Sequence, residues 1–337
     1  MNKTITIMEV CGTHTMAIAR HGLKKMFPPG VRMVSGPGCP VCVTPVEDID
    51  RAIEIAKIPG VIITTFGDMV RVPGSYTSLE EIKAAGADIR IVYSPVDALE
   101  IARENPENKI VFLGVGFETT SPTIASTVMI AYKKNVTNFF ILPLFKTVPV
   151  AIKTLLSQDS EIDGFLLPGH VSAIIGSHPY EFIARDFGIP GVIAGFEADD
   201  ILRSVKRLVD MIETHQPQII NDYARVVNSE GNPAAQKILS DVFVATNSHW
   251  RAIGTIPGSG LGFAKKYRAL DAGKYFKVKL PPSREPKACQ CGAIMMGKKV
   301  PPQCSLFGSQ CTPSHPVGPC MVSSEGVCAA YYKYSIQ

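Results

Sequence analysis

The sequence lacks the features of a membrane-bound, secreted or nucleic-acid-binding protein. No apolar run approaches the length that a transmembrane helix needs, and Met1-Asn2-Lys3 leads into a short alternating stretch rather than a signal peptide. The net charge of +4 comes from 34 basic and 30 acidic residues, which are scattered and form no stripe of Lys and Arg. We therefore expect a soluble cytoplasmic protein with neither a membrane nor a nucleic-acid partner.

What the sequence does contain is nine cysteines, three between Cys11 and Cys42 and the others between Cys289 and Cys328. In the reducing cytoplasm a structural disulfide framework is disfavoured, and an odd number cannot pair completely. Metal ligation or redox chemistry is the better interpretation. The length of 337 residues suggests two or three domains, with enough apolar residues to fill their cores.

Short β-rich runs alternate with amphipathic stretches from the N-terminus as far as Ile220. The predicted strands are 5–10, 31–34, 61–65, 89–93, 110–113, 139–142, 164–167 and 192–194. The predicted helices are 15–26, 47–57, 78–85, 95–104, 122–134, 147–157 and 198–213. This alternation predicts an α/β fold with parallel sheets, in which ligands bind at the carboxyl ends of the strands.

A short internal match suggests that two parts of the chain are related. Pro37-Gly38-Cys39 recurs as Pro168-Gly169-His170, and residues 58–61 recur as 189–192 at the same offset of 131. We expect two related parallel-sheet α/β domains, 1–105 and 106–220, with Cys39 and His170 facing one another across a cleft. The alternative is a coincidence of Pro-Gly turns. From Pro281 the composition shifts to Pro, Gly and Cys, which predicts a smaller loop-rich C-terminal domain within 221–337 that needs a metal staple.

Cys11 lies between a predicted strand and a predicted helix, with His14 close by in the sequence. Backbone N–H groups and the helix dipole at such a position favour the thiolate and lower the pKa of a thiol. His14 adds a group that can carry charge or accept a proton. We therefore expect Cys11 to be a reactive thiolate, the alternative being a small buried cysteine that packs a tight turn.

Cys39 and Cys42 form a Cys-x-x-Cys motif after a predicted strand. Two thiols at this spacing can close a reversible disulfide or share a metal ion. Half of a structural zinc site is the alternative, but no second pair lies close in the sequence. Redox chemistry or transient metal holding remains the preferred interpretation.

Other polar residues follow predicted strands and are candidates to surround these sulfurs. Asp68 and Arg71 follow one strand, Glu118 follows another, and His170 follows a third. Each can equally be a helix-capping or core residue. The glycines at 114 and 116 resemble the start of a dinucleotide loop, but the third glycine is absent and Glu118 would face the phosphates.

A dense group of cysteines predicts a metal site near the C-terminus: Cys289, Cys291, Cys304, Cys311, Cys320 and Cys328. Their irregular spacing matches neither a zinc ribbon nor a bacterial ferredoxin run. All-sulfur ligation on a loop-rich chain suits a four-iron cluster, which takes four thiolates and leaves two cysteines for a disulfide. A zinc site with two spare thiols is the alternative.

Several motifs together resemble the HypD family of [NiFe]-hydrogenase maturation proteins. They are Cys-Gly-Thr-His-Thr at 11–15, Gly-Pro-Gly-Cys-Pro-Val-Cys at 36–42, Gly-Asp-Met at 67–69, Gly-Phe-Glu-Thr-Thr-Ser-Pro at 116–122, Pro-Gly-His-Val at 168–171 and the terminal cysteines. This resemblance implies a scaffold on which the Fe(CN)2CO group is built, in complex with a HypC-type chaperone and with a HypE-type protein delivering cyanide.

The resemblance also implies roles for individual residues. Cys11 would hold the iron, and Cys39 with Cys42 would be a redox pair near it and possible iron ligands. The cleft would be lined by His14, Asp68, Glu118 and His170. The C-terminal site is similar to the [4Fe-4S] cluster of ferredoxin:thioredoxin reductase, and by that likeness the cysteines are divided into cluster ligands, Cys289, Cys304, Cys311 and Cys328, and an adjacent redox pair, Cys291 and Cys320.

Two other functions remain open at this point. One is a stand-alone iron-sulfur thiol-disulfide oxidoreductase. The other is a structural metalloprotein whose cysteines only fix a loop-rich tail.

Overall fold

The computed structural model describes residues 4–158 and 161–335. It confirms the α/β prediction, because two parallel sheets are covered by helices and followed by a loop-rich C-terminal region that carries cysteines. The strands are β1 Ile5–Glu9, β2 Val31–Ser35, β3 Val61–Thr65, β4 Asp88–Ile91, β5 Lys109–Gly116, β6 Phe139–Phe145, β7 Gly164–Pro168, β8 Gly191–Ala194, β9 Ile219–Asn221, β10 Phe243–Trp250 and β11 Gly254–Phe263.

The five-stranded sheet has the order β2-β1-β7-β8-β9, and all its strands are parallel. Ile7 at its centre is level with Met33 on one side and Gly164 on the other. β7 and β8 are buried along their whole length, as expected for a parallel sheet that is covered on both faces.

The four-stranded sheet has the order β4-β3-β5-β6 and is also parallel throughout. All of β3 is buried, and β5 is buried from Ile110 to Gly116. One continuous apolar cluster includes Val111 from this sheet and Phe165 from the other. The two sheets therefore share a core.

Six of the seven predicted helices begin and end within one residue of their predicted bounds. The α-helices are α1 Gly12–Arg20, α2 Pro40–Val43, α3 Val46–Ala56, α4 Gly67–Val70, α5 Leu79–Ala84, α6 Pro95–Glu104, α7 Ser121–Lys133, α8 Val148–Leu156, α9 Gly169–Ile175, α10 Glu181–Phe187, α11 Ala198–Glu213, α12 Pro233–Val242, α13 Ala272–Tyr275, α14 Cys291–Met295, α15 Pro319–Val322 and α16 Val327–Ser335. The predicted helix 15–26 is wrong, because α1 begins at Gly12 and ends at Arg20, before Gly22 adopts a φ of 62°.

The two sheets are not formed by two consecutive halves of the chain. β5 and β6 join β3 and β4, whereas β7 to β9 return to the sheet that β1 and β2 began. The predicted boundary at residue 105 therefore does not coincide with the division between sheets. The internal match does not mark equivalent positions either, because β7 pairs with β8 while β2 and β3 lie in different sheets.

The C-terminal region closes over the sheets. Its first part is an antiparallel hairpin of β10 and β11, which the sequence analysis did not predict. The part that follows packs α15 against α2, and α16 against α1. Within 4–158 and 161–335, no helix has the length and apolar character needed to cross a membrane.

Candidate functional site

Three neighbouring strands of the five-stranded sheet deliver the predicted thiol site. Cys39 follows β2, Cys11 follows β1, and His170 follows β7, and these strands are adjacent in that order. The Cys11 and Cys39 loops touch, because the N–H of Gly12 donates to the carbonyl of Gly38 at 3.0 Å. Cys39 and His170 therefore flank Cys11 at the carboxyl ends of these three strands. The prediction that Cys39 and His170 occupy corresponding loops of two related domains is wrong.

The Cys-x-x-Cys motif forms a closed pair at the start of α2. Cys39 and Cys42 are joined by a disulfide, with their Cα atoms 5.2 Å apart. The backbone N–H of Cys42 donates to the Cys39 sulfur at 3.1 Å, and Pro40 occupies the first position of the helix, where no N–H is needed. Both cysteines are buried, so this pair can exchange electrons only with groups packed against it.

Cys11 is not the acidic thiol that the sequence suggested. Burial raises the pKa of the Cys11 thiol to about 12, and the charge of Glu325 adds to the rise. The N–H groups of Thr13 and His14 act in the predicted direction but do not outweigh burial. The position before α1 was therefore predicted correctly, and the resulting pKa was not. An ionised Cys11 needs a cation beside it.

His14, which follows β1, and His170, which follows β7, share a contact with Phe196. Their ring centroids are 4.7 and 4.0 Å from that of Phe196. His14 is fully buried and its Nε2–H donates to the Gly195 carbonyl at 2.9 Å, so Nδ1 carries the free lone pair. Nδ1 has no hydrogen-bond partner among the described residues.

Both imidazoles are neutral at physiological pH. Burial lowers the pKa of His14 to about 4, with a further contribution from His170. Partial desolvation also lowers the pKa of His170, although its side chain is exposed. A neutral imidazole is a potential metal ligand or proton acceptor.

Glu118 follows β5 at the carboxyl end of that strand. Its carboxyl group is buried and accepts from the Val148 N–H, at 3.0 and 3.3 Å to its two oxygens. Burial raises the pKa of Glu118 to about 7. Burial also raises the pKa of Tyr180, and the charges of Glu118 and Cys11 add to the rise.

Asp68 binds the C-terminal segment, and its place in the cleft stays a prediction. It follows β3, and its Oδ2 accepts from the Ser324 N–H at 2.9 Å and from the hydroxyls of Ser323 and Ser324 at 3.2 and 3.1 Å. Arg71 donates to the carbonyl of Pro313. The Gly-Asp-Met loop therefore fastens the C-terminal segment to the four-stranded sheet.

Four of the C-terminal cysteines affect one another's protonation. Cys291 and Cys320 lower the pKa of Cys328 to about 6, while Cys291 and Cys328 raise the pKa of Cys320. Cys291 also raises the pKa of Cys289. A Cβ atom on Gly318 would lie only 2.7 Å from the sulfurs of both Cys289 and Cys291, so this glycine makes room for them.

The other two cysteines border this group. The Cys311 sulfur accepts from the Val317 N–H at 3.3 Å. Burial raises the pKa of Cys311, and the charges of Cys291 and Cys289 add to the rise. The Cys304 thiol donates to the Ala288 carbonyl at 3.9 Å, next to Cys289 in the chain. The division into four cluster ligands and one redox pair stays a prediction.

The two cysteine regions meet at a small internal cavity. Cys39 and Cys42 line one side of it and Cys320 and Glu325 the other, and its volume is about 10 Å³. That volume is at the lower limit for one water molecule. The meeting of two cysteine regions from opposite ends of the sequence is therefore a property of the fold.

Three residues of the site were not singled out from the sequence. Glu325 accepts from the Thr13 hydroxyl at 3.1 Å, and Glu9 accepts from the Cys11 N–H at 3.2 Å. Phe196 contacts both histidines. Glu9 ends a strand immediately before the Cys11 motif, which is a usable sequence signal; Glu325 and Phe196 have no such signal.

Comparisons with known proteins agree with the arrangement of these motifs. The HypD family model, described as "Hydrogenase formation hypA family", matches residues 1–335. The hydrogenase maturation factor HypD of Rhodobacter capsulatus is 49% identical, covering 98% of this chain and 90% of its own length. The factor of the same name from Escherichia coli is 47% identical, covering 99% and 90%. A putative hydrogenase expression/formation protein of Methanocaldococcus jannaschii is 41% identical, covering 98% and 92%. The chain therefore belongs to the HypD family of hydrogenase maturation factors.

Proposed function

We propose that this maturation factor is a scaffold on which the Fe(CN)2CO group of a [NiFe]-hydrogenase is assembled. It works in complex with a HypC-type chaperone and receives cyanide from a HypE-type protein. The observation that supports this most is that the Cys11 and Cys39 loops touch where β1 and β2 end, beside a cavity that the Cys39–Cys42 disulfide shares with Cys320.

Cys11 is suited to hold iron that must later leave. Its thiol stays protonated in the buried site until a cation replaces the proton, because burial raises its pKa to about 12. Low-spin iron with strong-field ligands favours soft sulfur donors. A second thiolate from the chaperone would complete the iron's ligation, and exchange of that thiolate would release the group. Glu118, His14 and His170 line the region, and Asp68 holds the segment that closes it.

The C-terminal cysteines would hold a resident [4Fe-4S] cluster. What supports this is that all six are sulfur donors and that Gly318 leaves space beside Cys289 and Cys291. Within 4–158 and 161–335, no three His, Cys, Asp or Glu side chains are already arranged as a metal site, so the cysteines would have to move to bind it. When bound, the cluster supplies electrons one at a time. Reduction of the Cys39–Cys42 disulfide takes two electrons and two protons and yields two thiols. Cys320 lies where those electrons would pass.

The alternative, a stand-alone thiol-disulfide oxidoreductase, would use the same disulfide. Its substrate would have to reach the Cys39–Cys42 pair, which is buried beside a cavity of about 10 Å³. No protein disulfide fits that space. The geometry therefore favours assembly on this chain over turnover of an external disulfide.

Spectroscopy of anaerobically co-purified protein distinguishes the proposals. Infrared bands of both CO and cyanide, together with a four-iron Mössbauer signal, are the expected result. A four-iron signal with rapid turnover of a generic disulfide and no such bands would establish the oxidoreductase instead. Detection of zinc alone would support the third function, a structural metalloprotein.

Substitution of Cys11 tests its role as iron ligand. Cys11→Ala is expected to abolish hydrogenase maturation, because the iron loses its donor on this chain, while the visible absorption of the C-terminal cluster persists. His21→Ala, an exposed residue that ends the same helix, is the matched control and should mature hydrogenase normally. Normal hydrogenase activity with Cys11→Ala would show that the iron is held elsewhere.

A further inference from the structure

The turn between β10 and β11 lies against both cysteine regions. Trp250 and Gly254 are opposite one another at the end of the hairpin, and residues 251–253 connect them. The N–H of Arg251 donates to the Val43 carbonyl at 2.8 Å, and its Nε donates to the Thr44 carbonyl at 2.9 Å. Val43 is the last residue of α2, the helix that carries Cys42, and Thr44 is the residue that caps its end.

The next residue of the turn reaches the C-terminal cysteines. Ala252 has a φ of +69°, a conformation that L residues with a Cβ rarely adopt. A Cβ atom built on Gly292, the neighbour of Cys291, would lie only 2.4 Å from the Ala252 Cβ. The turn is therefore fitted closely between α2 and the chain at Cys291.

Arg251 also brings a buried positive charge to this place. Its side chain is 8% exposed, and its Nη1 donates to the half-exposed Glu285 at 2.8 Å. Its Nη2 has no hydrogen-bond partner within the described parts of the chain, although a buried N–H without one is costly.

We propose that Arg251 is a positioning residue that holds the Cys39–Cys42 pair at a fixed separation from the C-terminal cysteines. This inference rests on the proposed function, in which electrons pass from the C-terminal site to the disulfide. The rate of transfer over a short gap depends on the separation of donor and acceptor. The turn fixes that separation through its contacts with Val43, Thr44 and Gly292.

The test follows reduction of the disulfide in anaerobically purified protein. Photoreduced deazaflavin supplies single electrons, and the new Cys39 and Cys42 thiols are trapped with N-ethylmaleimide and counted by peptide mass spectrometry. Arg251→Gln is expected to slow their appearance at least tenfold, and Arg251→Lys, whose side chain can still donate to the Thr44 carbonyl, to restore part of the rate. Arg103→Gln is the matched control, because Arg103 is exposed and pairs with Glu100 on α6. It should transfer at the rate of the unsubstituted protein.

A second measurement separates positioning from general loosening. Tris(carboxyethyl)phosphine reduces the disulfide directly, and its rate should be unchanged by Arg251→Gln; a faster reaction would mean that the substitution merely exposes the pair and would overturn the inference. If Arg251→Gln does not fold, Gly292→Ala tests the same turn, since its methyl group overlaps Ala252 and should slow transfer with the charge retained.

The remaining outcomes distinguish this inference from the function on which it rests. Transfer at the unsubstituted rate in Arg251→Gln overturns the role of Arg251 and leaves the proposed electron path intact. Absence of any transfer in the unsubstituted protein overturns the path itself, and the inference with it.

Discussion

At the end of β1, Glu9, Cys11 and His14 are buried next to one another, and burial changes the protonation of each in the direction that removes its charge. It raises the pKa of Glu9 to about 7 and that of Cys11 to about 12, and it lowers the pKa of His14 to about 4. Without a bound cation the site therefore favours neutral groups. Iron binding would reverse this preference for Cys11.

His14 should make stability depend on pH. Its folded-state pKa of about 4 lies below the unfolded value of 6.5, so between these values the unfolded state binds more protons. Stability then rises with pH over this window, by roughly 3 kcal/mol in total, and falls as acid charges the unfolded histidine. Glu9 and Glu118 act in the opposite direction between pH 4.5 and about 7, where the folded state retains more protons.

His14→Gln isolates the histidine contribution, because glutamine can still donate to the Gly195 carbonyl. We expect the stability of the unsubstituted protein relative to His14→Gln to increase between pH 4 and pH 7, measured by urea unfolding at each pH. His21→Gln, at the exposed end of α1, should leave the pH profile unchanged. A difference between the His14 variant and the unsubstituted protein that stays constant with pH would contradict the assignment.

The elements that deliver the site could largely be predicted, since their residues have simple periodicity. α6 and α11 begin and end at the predicted residues, and β3 coincides with its predicted run of β-branched residues. Ser78 and Ser94 each accept a backbone hydrogen bond in capping boxes that start α5 and α6, so local sequence alone specifies these starts.

The hairpin and the order of the strands could not be predicted in the same way. β10 is mostly exposed and polar between Phe243 and Trp250, so it lacks a regular apolar alternation. The position of β7 beside β1 depends on contacts between segments that are distant in the sequence, such as Met8 opposite Phe165. Glu325 reaches Thr13 through the same kind of long-range packing. Local propensity has no information on such pairs.

Gly38 lets the loop after β2 approach the end of β1. A Cβ atom there would lie 2.3 to 2.4 Å from the backbone of Val10 and Cys11. Gly38→Ala should therefore force the two loops apart and lower the free energy of unfolding by about 1–3 kcal/mol, as overpacking usually does. Urea unfolding measures the loss.

The matched control is Gly67→Ala, in the short helix α4. A Cβ atom at that position has only one neighbour within 4 Å, at 3.8 Å. This variant should be close to the unsubstituted protein in stability. Equal stabilities for the two alanine variants would mean that the approach at Gly38 is not as tight as described.

At the scale of the whole molecule, the C-terminal segment is fastened to both sheets. Asp68 binds Ser323 and Ser324 from the four-stranded sheet, while Thr13 binds Glu325 from α1, which follows the first strand of the other sheet. Residues 318–328, which include these contact residues, lie over the thiol site. Because this segment is attached to both sheets, it closes the site and brings the two cysteine regions together.

Asp68→Ala should release this segment. It removes three hydrogen bonds to one carboxylate oxygen, and we expect a loss of about 2 kcal/mol together with faster amide hydrogen exchange in residues 319–326. Asp88→Ala is the control, because Asp88 is exposed and pairs only with Arg90 among the ion pairs of the described chain. Unchanged exchange in 319–326 would show that other contacts hold the segment.

The interleaved order of the strands has a consequence during synthesis on the ribosome. The four-stranded sheet uses residues 61 to 145 and can close as soon as they emerge, whereas β1 must wait for β7, which begins at Gly164. The last wall around Cys39 and Cys42 comes from Cys320 and Glu325. A nascent chain therefore carries Cys39 and Cys42 outside their final enclosure for most of translation, and that enclosure is complete only after Glu325 has been added.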